Sequence, residues 1–388
     1  MTNPGDDIYG SAEHQAFRDT VRRFVQTELV PRAREFDELG RIDKSLYRKM
    51  GELGLLGIRY DQRYGGLGLD YSYHAIFLEE LSLCDNAGVA MGVSVQTDMA
   101  TPALHRFGSE ELKQRYLVPA IRGEQVAAIA VTEPGAGSDV AGIKTRAVRD
   151  GDHWVLNGSK MYITNAATAD WLCLLAVTDP AAGYGGFTQI VVPTDARGFS
   201  YQLLDKIGNL GSDTGLLFFD DVRVPVSNTI GDPNRGFQQQ MNQFQDERMV
   251  PVVMGPVTAR HLWEVTLRHC QQRIAFGKPL AKMQVNQHKL VDMMIQITAA
   301  GVRAPLHPPD GARRGRDARH LDGEGVHHRG AAVRGDHVRA ALRRRGLLLG
   351  EPRGARLRGL APGEHRRGRG RGDEAGGGQD PSDMTLQI

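Results

Sequence analysis

The composition of this 388-residue chain breaks near Ala300, and the break limits where a core can form. Residues 301–388 hold 18 arginines, 18 of the 47 glycines, no lysine and no aromatic residue. Such a segment buries too little apolar surface to offset the entropy of ordering it, so the expected core lies within residues 1–300. Charge changes at the same point, with 18 basic against 11 acidic groups after the break and 30 against 35 before it. Three hundred residues suffice for two or three domains at ~100–200 residues each.

Within that stretch the texture changes twice. From Ser11 to about Arg122 the pattern is helical, with Phe17, Val21, Phe24 and Val25 on one face and Leu46, Tyr47, Met50, Leu53 and Leu55 opening another. From Val126 to Pro225 short β-rich runs follow: Val126–Val131, Trp154–Leu156, Met161–Thr164, Trp171–Val177, Gln189–Val192 and Leu216–Phe219. Turn signals such as Asn157-Gly158 separate them at the spacing of an antiparallel barrel or sandwich, and no βαβ alternation is present. After Gly236 helical texture returns, with Met283, Leu290, Met294 and Ile297 at helix-compatible spacing and a kink or break expected at Pro251 and Pro256. The expected fold class is α+β. A helical domain spans 1–122, a β domain 123–232 and a truncated helical domain 233–300, and an Arg/Gly-rich tail over 301–388 reads as disordered or non-native. Only two long helices can be read before Ala300, so a closed bundle needs something downstream.

Cys84, Cys173 and Cys270 are scattered and odd in number, which excludes a disulfide framework or a CxxC metal knuckle. No apolar run approaches the ~18–20 residues of a membrane span, and the acidic start Met1–Asp7 resembles no signal or transit peptide. The expectation is a cytoplasmic protein without a metal centre.

The most specific string is Ala130-Val131-Thr132-Glu133-Pro134-Gly135-Ala136-Gly137-Ser138-Asp139, a strand entering a glycine-rich turn. Glycines let backbone amides approach a ligand, and the Thr132 and Ser138 hydroxyls add directional donors, which suits a flavin edge or a phosphate. A tight turn alone explains the glycines but not the flanking Thr, Glu-Pro and Ser-Asp.

This string closely resembles the signature of the acyl-CoA dehydrogenase family, and further matching segments follow in the family's order. They are Lys160 to Asn165, Leu210 to Asp213, Val222 to Pro225 and Arg273-Ile274-Ala275-Phe276-Gly277-Lys278-Pro279-Leu280, with Gln284 beginning the next helix. The resemblance covers roughly residues 10–300 and implies FAD as cofactor. It assigns cofactor contacts to Thr132, Gly137, Ser138, Tyr162, Ile163, Thr164, Arg273, Phe276 and Gln284, the Arg273 segment reaching the FAD of a neighbouring subunit. Tyr162 stands where the family usually has Trp, a smaller ring whose hydroxyl needs a partner. Individually these residues also fit core threonines, a packed tyrosine or a helix-end arginine.

The implied reaction is α,β-dehydrogenation of an acyl-CoA thioester to the trans-2-enoyl-CoA. A carboxylate in a dry pocket removes the α-proton as the β-hydride leaves for the flavin. The family keeps this glutamate either in a C-terminal loop or immediately before an arginine on the first helix of its C-terminal domain. Phe244-Gln245-Asp246-Glu247-Arg248 matches the second arrangement, making Glu247 the candidate base with Asp246, Arg248 and Ser138 facing substrate. The same residues also fit a solvated ion-pair cluster on a helix face. Implied partners are acyl-CoA, an electron-transfer flavoprotein or similar acceptor, and further copies of the chain in a homodimer or homotetramer. Membrane and nucleic acid are not expected partners. The alternatives are a flavin-dependent oxidase or nitroalkane-type relative on the same fold, or an inactive binding protein whose arginine-rich tail engages nucleic acid.

The tail departs from the family's last helices. His327-His328 lacks further ligands at useful spacing for a metal. A shift of reading frame near residue 300 accounts for the break: read one nucleotide later, the codons of His365–Pro381 permit IGGGAAEVMKRVVAKTL, and those of Val338–Pro352 permit CVQLYGGAGYYSESP. Both resemble the family's C-terminus, and the restored IGGG carries glycine where families with a C-terminal base place their glutamate.

Overall fold

The computed structural model describes residues 11–303; the tail expectations, including His327-His328, lie outside the described residues. The chain begins with helices α1 (Ala12–Phe24), α2 (Ala33–Leu39), α3 (Lys44–Glu52), α4 (Tyr71–Leu81), α5 (Ala87–Ser94), α6 (Thr101–Phe107), α7 (Glu110–Leu112) and α8 (Val118–Ile121). Several begin with a side-chain cap: Ser11 accepts from the N–H of His14, Asp43 from Ser45, Asp70 from Ser72 and Asn86 from Val89. Val21, Phe24, Leu46, Tyr47 and Met50 are buried as their helical spacing requires, whereas Leu53 remains exposed. Buried Arg18 ties α1 to α4 through Glu79 at 2.7 Å and Glu80 at 2.9 Å.

Seven strands follow: β1 (Ala127–Ala130), β2 (Arg146–Asp150), β3 (His153–Thr164), β4 (Trp171–Val177), β5 (Phe187–Pro193), β6 (Phe199–Leu203) and β7 (Thr214–Pro225). They form one sheet in the order β1-β4-β2-β3-β7-β6, with β5 also paired to β4. Most pairings are antiparallel, but β1 and β2 run parallel to β4, which the antiparallel reading did not anticipate. Burial of both faces of β4 explains its unbroken apolar run. Trp171 and Cys173 pack with Leu104 and Tyr116 of the helical domain, while Leu172, Leu174 and Ala176 share the sheet's own core with Trp154, Leu156 and Leu217.

Asn157-Gly158 is not a turn between strands. It is a bulge inside the 12-residue β3, where the register against β7 shifts between Leu156 and Gly158. Gly158 has φ +146°, and a Cβ there would lie 2.6 Å from the Thr145 hydroxyl oxygen, so the glycine serves a close strand crossing.

Helix α9 (Gly236–Gln272) then runs 37 residues without the expected break at Pro251 and Pro256. Packing outweighs the proline penalty: Val250 and Val253 join the core of the helical domain beside Phe77. A short hairpin of β8 (Ile274–Ala275) and β9 (Lys278–Pro279) leads to α10 (Gln284–Arg303). Leu290, Met293, Ile297 and Ala300 are buried on α10, so Met293 takes the core position that spacing gave to Met294. Val285, Val291 and Ile295 remain exposed, an apolar face left open among the described residues.

Candidate active site

The glycine turn is anchored by a buried ion pair. Glu133 and Ala136 exchange backbone hydrogen bonds of 2.9 and 3.2 Å, closing the turn around Pro134-Gly135. The Glu133 carboxylate accepts from the backbone N–H groups of Lys144 at 2.6 Å and Thr145 at 2.9 Å, and from Lys160 Nζ at 2.9 Å. Lys160, completely buried, also donates to the carbonyl of Val131 at 2.8 Å. Burial pulls the Lys160 ammonium down to about 8 against the pull of Glu133. Burial alone would raise Glu133, but Lys160 and the N–H donors hold it below the ordinary carboxylate range. Gly135 and Gly137 face open space, and a Cβ on either would meet nothing within 4 Å. The chain's own packing does not require glycine there; close approach by a ligand would.

Strand β3 supplies the adjoining wall, tied to the turn by a 2.8 Å bond from the Met161 N–H to the Thr132 carbonyl. A second register shift falls between Lys160 and Ile163, and Tyr162 lies within it at φ +62°, a region bulky residues rarely occupy. Tyr162 is 62% exposed. The strained backbone thus turns an aromatic side chain outward beside the glycine turn. Ile163 buries its side chain in the sheet core, so only its backbone can face that surface, and Thr164 is half-buried beside it. Asp213 secures the far end, accepting from the Ala167 N–H at 2.7 Å and the Thr168 hydroxyl at 2.5 Å. The Leu210–Asp213 segment therefore carries a structural contact, and Gly211 has its close approach to Asn86.

The third wall is the first part of α9. Phe237 and Phe244 pack on the cluster of Val131, Ala136, Ile143 and Phe187 beneath the glycine turn, and Glu247 follows Phe244 by three residues along the same helix. Glu247 is partly buried, and its carboxyl is pushed up to about 8, first by burial and then by Asp98, against a 3.2 Å hydrogen bond donated by Gln243 Nε2. Cys173 on β4 is buried near enough to Glu247 that burial and that carboxylate push its thiol up to about 12. Asp246 points elsewhere, into an ion pair with Arg106 of α6, and Arg248 is exposed. The neighbouring acids thus have separate environments: one is neutralised, the other is desolvated.

Models of the acyl-CoA dehydrogenase N-terminal, middle and C-terminal domains match residues 11–124, 128–222 and 234–304, the last match ending at the composition break. The chain belongs to the acyl-CoA dehydrogenase family. It is 38% identical to the mitochondrial long-chain specific acyl-CoA dehydrogenase of Sus scrofa over 76% of this chain and 69% of that protein. To the mitochondrial isovaleryl-CoA dehydrogenase of Solanum tuberosum it is 40% identical over 71% and 68%. Among solved structures, a Mycobacterium smegmatis glutaryl-CoA dehydrogenase in complex with FADH2 superposes with TM-score 0.82 at 29% identity, covering 92% of this chain and 91% of that one. Members are FAD-dependent oxidoreductases acting on CH–CH bonds.

The sequence-predicted residues fall into two groups. Thr132, Gly137, Ser138, Tyr162, Ile163 and Thr164 lie on the glycine turn and adjoining β3, and Glu247 lies on the helix packed beneath that turn. Arg273, Phe276 and Gln284 are exposed on the hairpin and the start of α10. Arg273 is 26 residues beyond Glu247, roughly 39 Å along a helix rising 1.5 Å per residue. Phe276 is 94% exposed at φ +52°, a second outward aromatic on strained backbone. Not foreseen from sequence are Asp98, Gln243 and a groove of about 540 Å³ lined by Lys144, Arg146, Tyr184 and Phe187. Asp98 and Gln243 carry no local motif, and the groove forms only when the Pro180–Gly186 loop folds beside β2. Among the described residues no helix is long and apolar enough to cross a membrane, no group of metal-ligating side chains converges, and the three cysteines are buried and form no disulfide.

Proposed function

We propose that the chain binds FAD against the glycine turn and Tyr162 and dehydrogenates an acyl-CoA thioester between its α and β carbons, with Glu247 as base. One observation carries this reading: a desolvated carboxyl raised to about 8 lies on the helix packed beneath a turn whose glycines open onto free space. The donor set fits a flavin. Thr132 and Ser138 offer hydroxyls, Gly137 and Ile163 offer backbone, and Tyr162 offers an exposed ring for stacking. Bound FAD supplies the acceptor for the β-hydride.

The chain's own groups do the rest. Glu247 in its ionised form takes the α-proton, and desolvation makes it a stronger base than an exposed glutamate. Gln243 holds one carboxylate oxygen, and Arg106 keeps Asp246 from competing for the proton. The groove beside Lys144 and Arg146 provides cations for the CoA phosphates, with Tyr184 and Phe187 as its apolar wall. Because Arg273 and Phe276 lie so far along α9 from Glu247, their cofactor contacts belong to a second copy of the chain. Electrons then leave to an electron-transfer flavoprotein or a similar acceptor.

The purified protein should carry flavin absorbance, and an acyl-CoA added without oxygen should bleach it. Bound flavin that no acyl-CoA bleaches would overturn the proposed activity, and a chain that cannot be loaded with flavin would overturn the proposed site.

A further inference from the structure

Beneath Glu247 lies a buried polar assembly that the reaction itself does not call for. His74 of α4 hydrogen-bonds Asp98 through Nε2 and Oδ1 at 2.5 Å, and both side chains are almost wholly buried. The second Asp98 oxygen accepts from the Thr97 hydroxyl at 2.7 Å. The next residue, Met99, offers its carbonyl to Gln243 Nε2, and that amide nitrogen also donates to Glu247 Oε1 at 3.2 Å. A backbone carbonyl can only accept, so Met99 fixes which way the Gln243 amide points, and Glu247 therefore faces a donor. One residue links the Asp98 segment to the carboxylate. Pro251 lacks an N–H and so cannot donate to the Glu247 carbonyl four residues before it, which removes one helix hydrogen bond at the base's own turn.

We propose that Gln243 is a positioning residue for the Glu247 carboxylate and that the buried Asp98, held by His74 and Thr97, is a fixed charge set against it. This deepens the reading of Glu247 as base and rests on it for its purpose, though not for its test. The two residues act in opposite senses. Gln243 donates to the ionised form and favours it; Asp98 repels it and favours the protonated form. The other groups facing Glu247 are Cys173 from β4, kept neutral by burial, Asp246, paired to Arg106 of α6, and exposed Arg248. Of these, only Asp98 brings an acid from outside α9.

The test is infrared spectroscopy of the full chain against pH. The carboxylic-acid C=O band of Glu247 is identified by its loss in Glu247→Gln, and its midpoint is read in Asp98→Asn and Gln243→Met. Asp98→Asn keeps the shape, with the Thr97 hydroxyl able to turn and accept from the new amide N–H, and should lower the midpoint by about one pH unit, the lower end of what one nearby charge produces. Gln243→Met removes the donor and should raise it. Opposite displacements support the proposal, since general loosening of the fold would move both midpoints the same way. A midpoint that stays in place or moves the other way in either variant overturns it, so each variant alone suffices if the other fails to fold. Flavin reduction by acyl-CoA is followed in the same variants. If the infrared midpoints move and the pH dependence of reduction does not follow, the base lies elsewhere and the positioning proposal stands.

Discussion

Glu247→Gln should make the stability of the chain less dependent on pH. The wild-type carboxyl moves from an ordinary 4.5 to about 8 on folding. At ~1.4 kcal/mol per pH unit this is a ceiling of roughly 5 kcal/mol, and solvent screening at a partly open side chain lowers the expectation to about 2–4 kcal/mol. The sign follows from linkage. The folded carboxyl holds its proton more tightly than the unfolded one, so its contribution is fully present below the unfolded value and is lost as pH rises through about 8. Glutamine has no proton to lose. The variant should match the wild type at or below about pH 4 to within the small cost of the amide, and exceed it by about 2–4 kcal/mol above pH 8. Urea unfolding of both proteins at several pH values, in the same flavin state, measures this, because all other titrating groups cancel in the difference. Parallel stability curves, or a variant that loses ground as pH rises, would refute the claim that folding desolvates Glu247.

Other consequences can be tested separately. Lys160→Met strands the buried Glu133 carboxylate with only backbone donors and should cost about 3–5 kcal/mol by urea unfolding, whereas an unchanged midpoint would deny the pair its anchoring role. Tyr162→Ala should leave the stability of the flavin-free chain within about 0.5 kcal/mol while weakening FAD binding about three- to tenfold in a fluorescence titration, as expected for one stacked ring. Phe276→Ser should lower oligomer mass and flavin content together in light scattering combined with absorbance; a stable monomer retaining full flavin would remove the proposed contact between copies.

The helical domain and the order of the three regions were readable because amphipathic spacing and turn residues are local signals. β4 was delimited to the residue because burial on both faces leaves an unbroken apolar run. β2 and β6 were missed for the opposite reason: Arg146–Asp150 and Phe199–Leu203 expose most of their residues and show no clear alternation. Asn157-Gly158 read as a turn because a bulge and a turn demand the same residue types. Pro251 and Pro256 suggested a break because propensity is local, whereas the packing of Val250 and Val253 is not. At the site, Glu247 could be reached through its match to a family motif. Asp98 and Gln243 could not, because their relation to Glu247 exists only after helices distant in sequence have packed together.

The central claim is that Glu247 removes the α-proton, and the most direct measurement is stopped-flow reduction of bound flavin by acyl-CoA under anaerobic conditions. The wild-type rate at limiting substrate should rise with pH through about 8 as the carboxyl ionises. Glu247→Gln should bind FAD yet lose at least the ~10²–10⁴-fold that a positioned base supplies. Asp246→Asn, altering the neighbour paired to Arg106 and turned ~100° away on the helix, should stay within a few-fold of wild type. Near-normal reduction in the Glu247 variant, or a collapse confined to the Asp246 variant, would contradict this account.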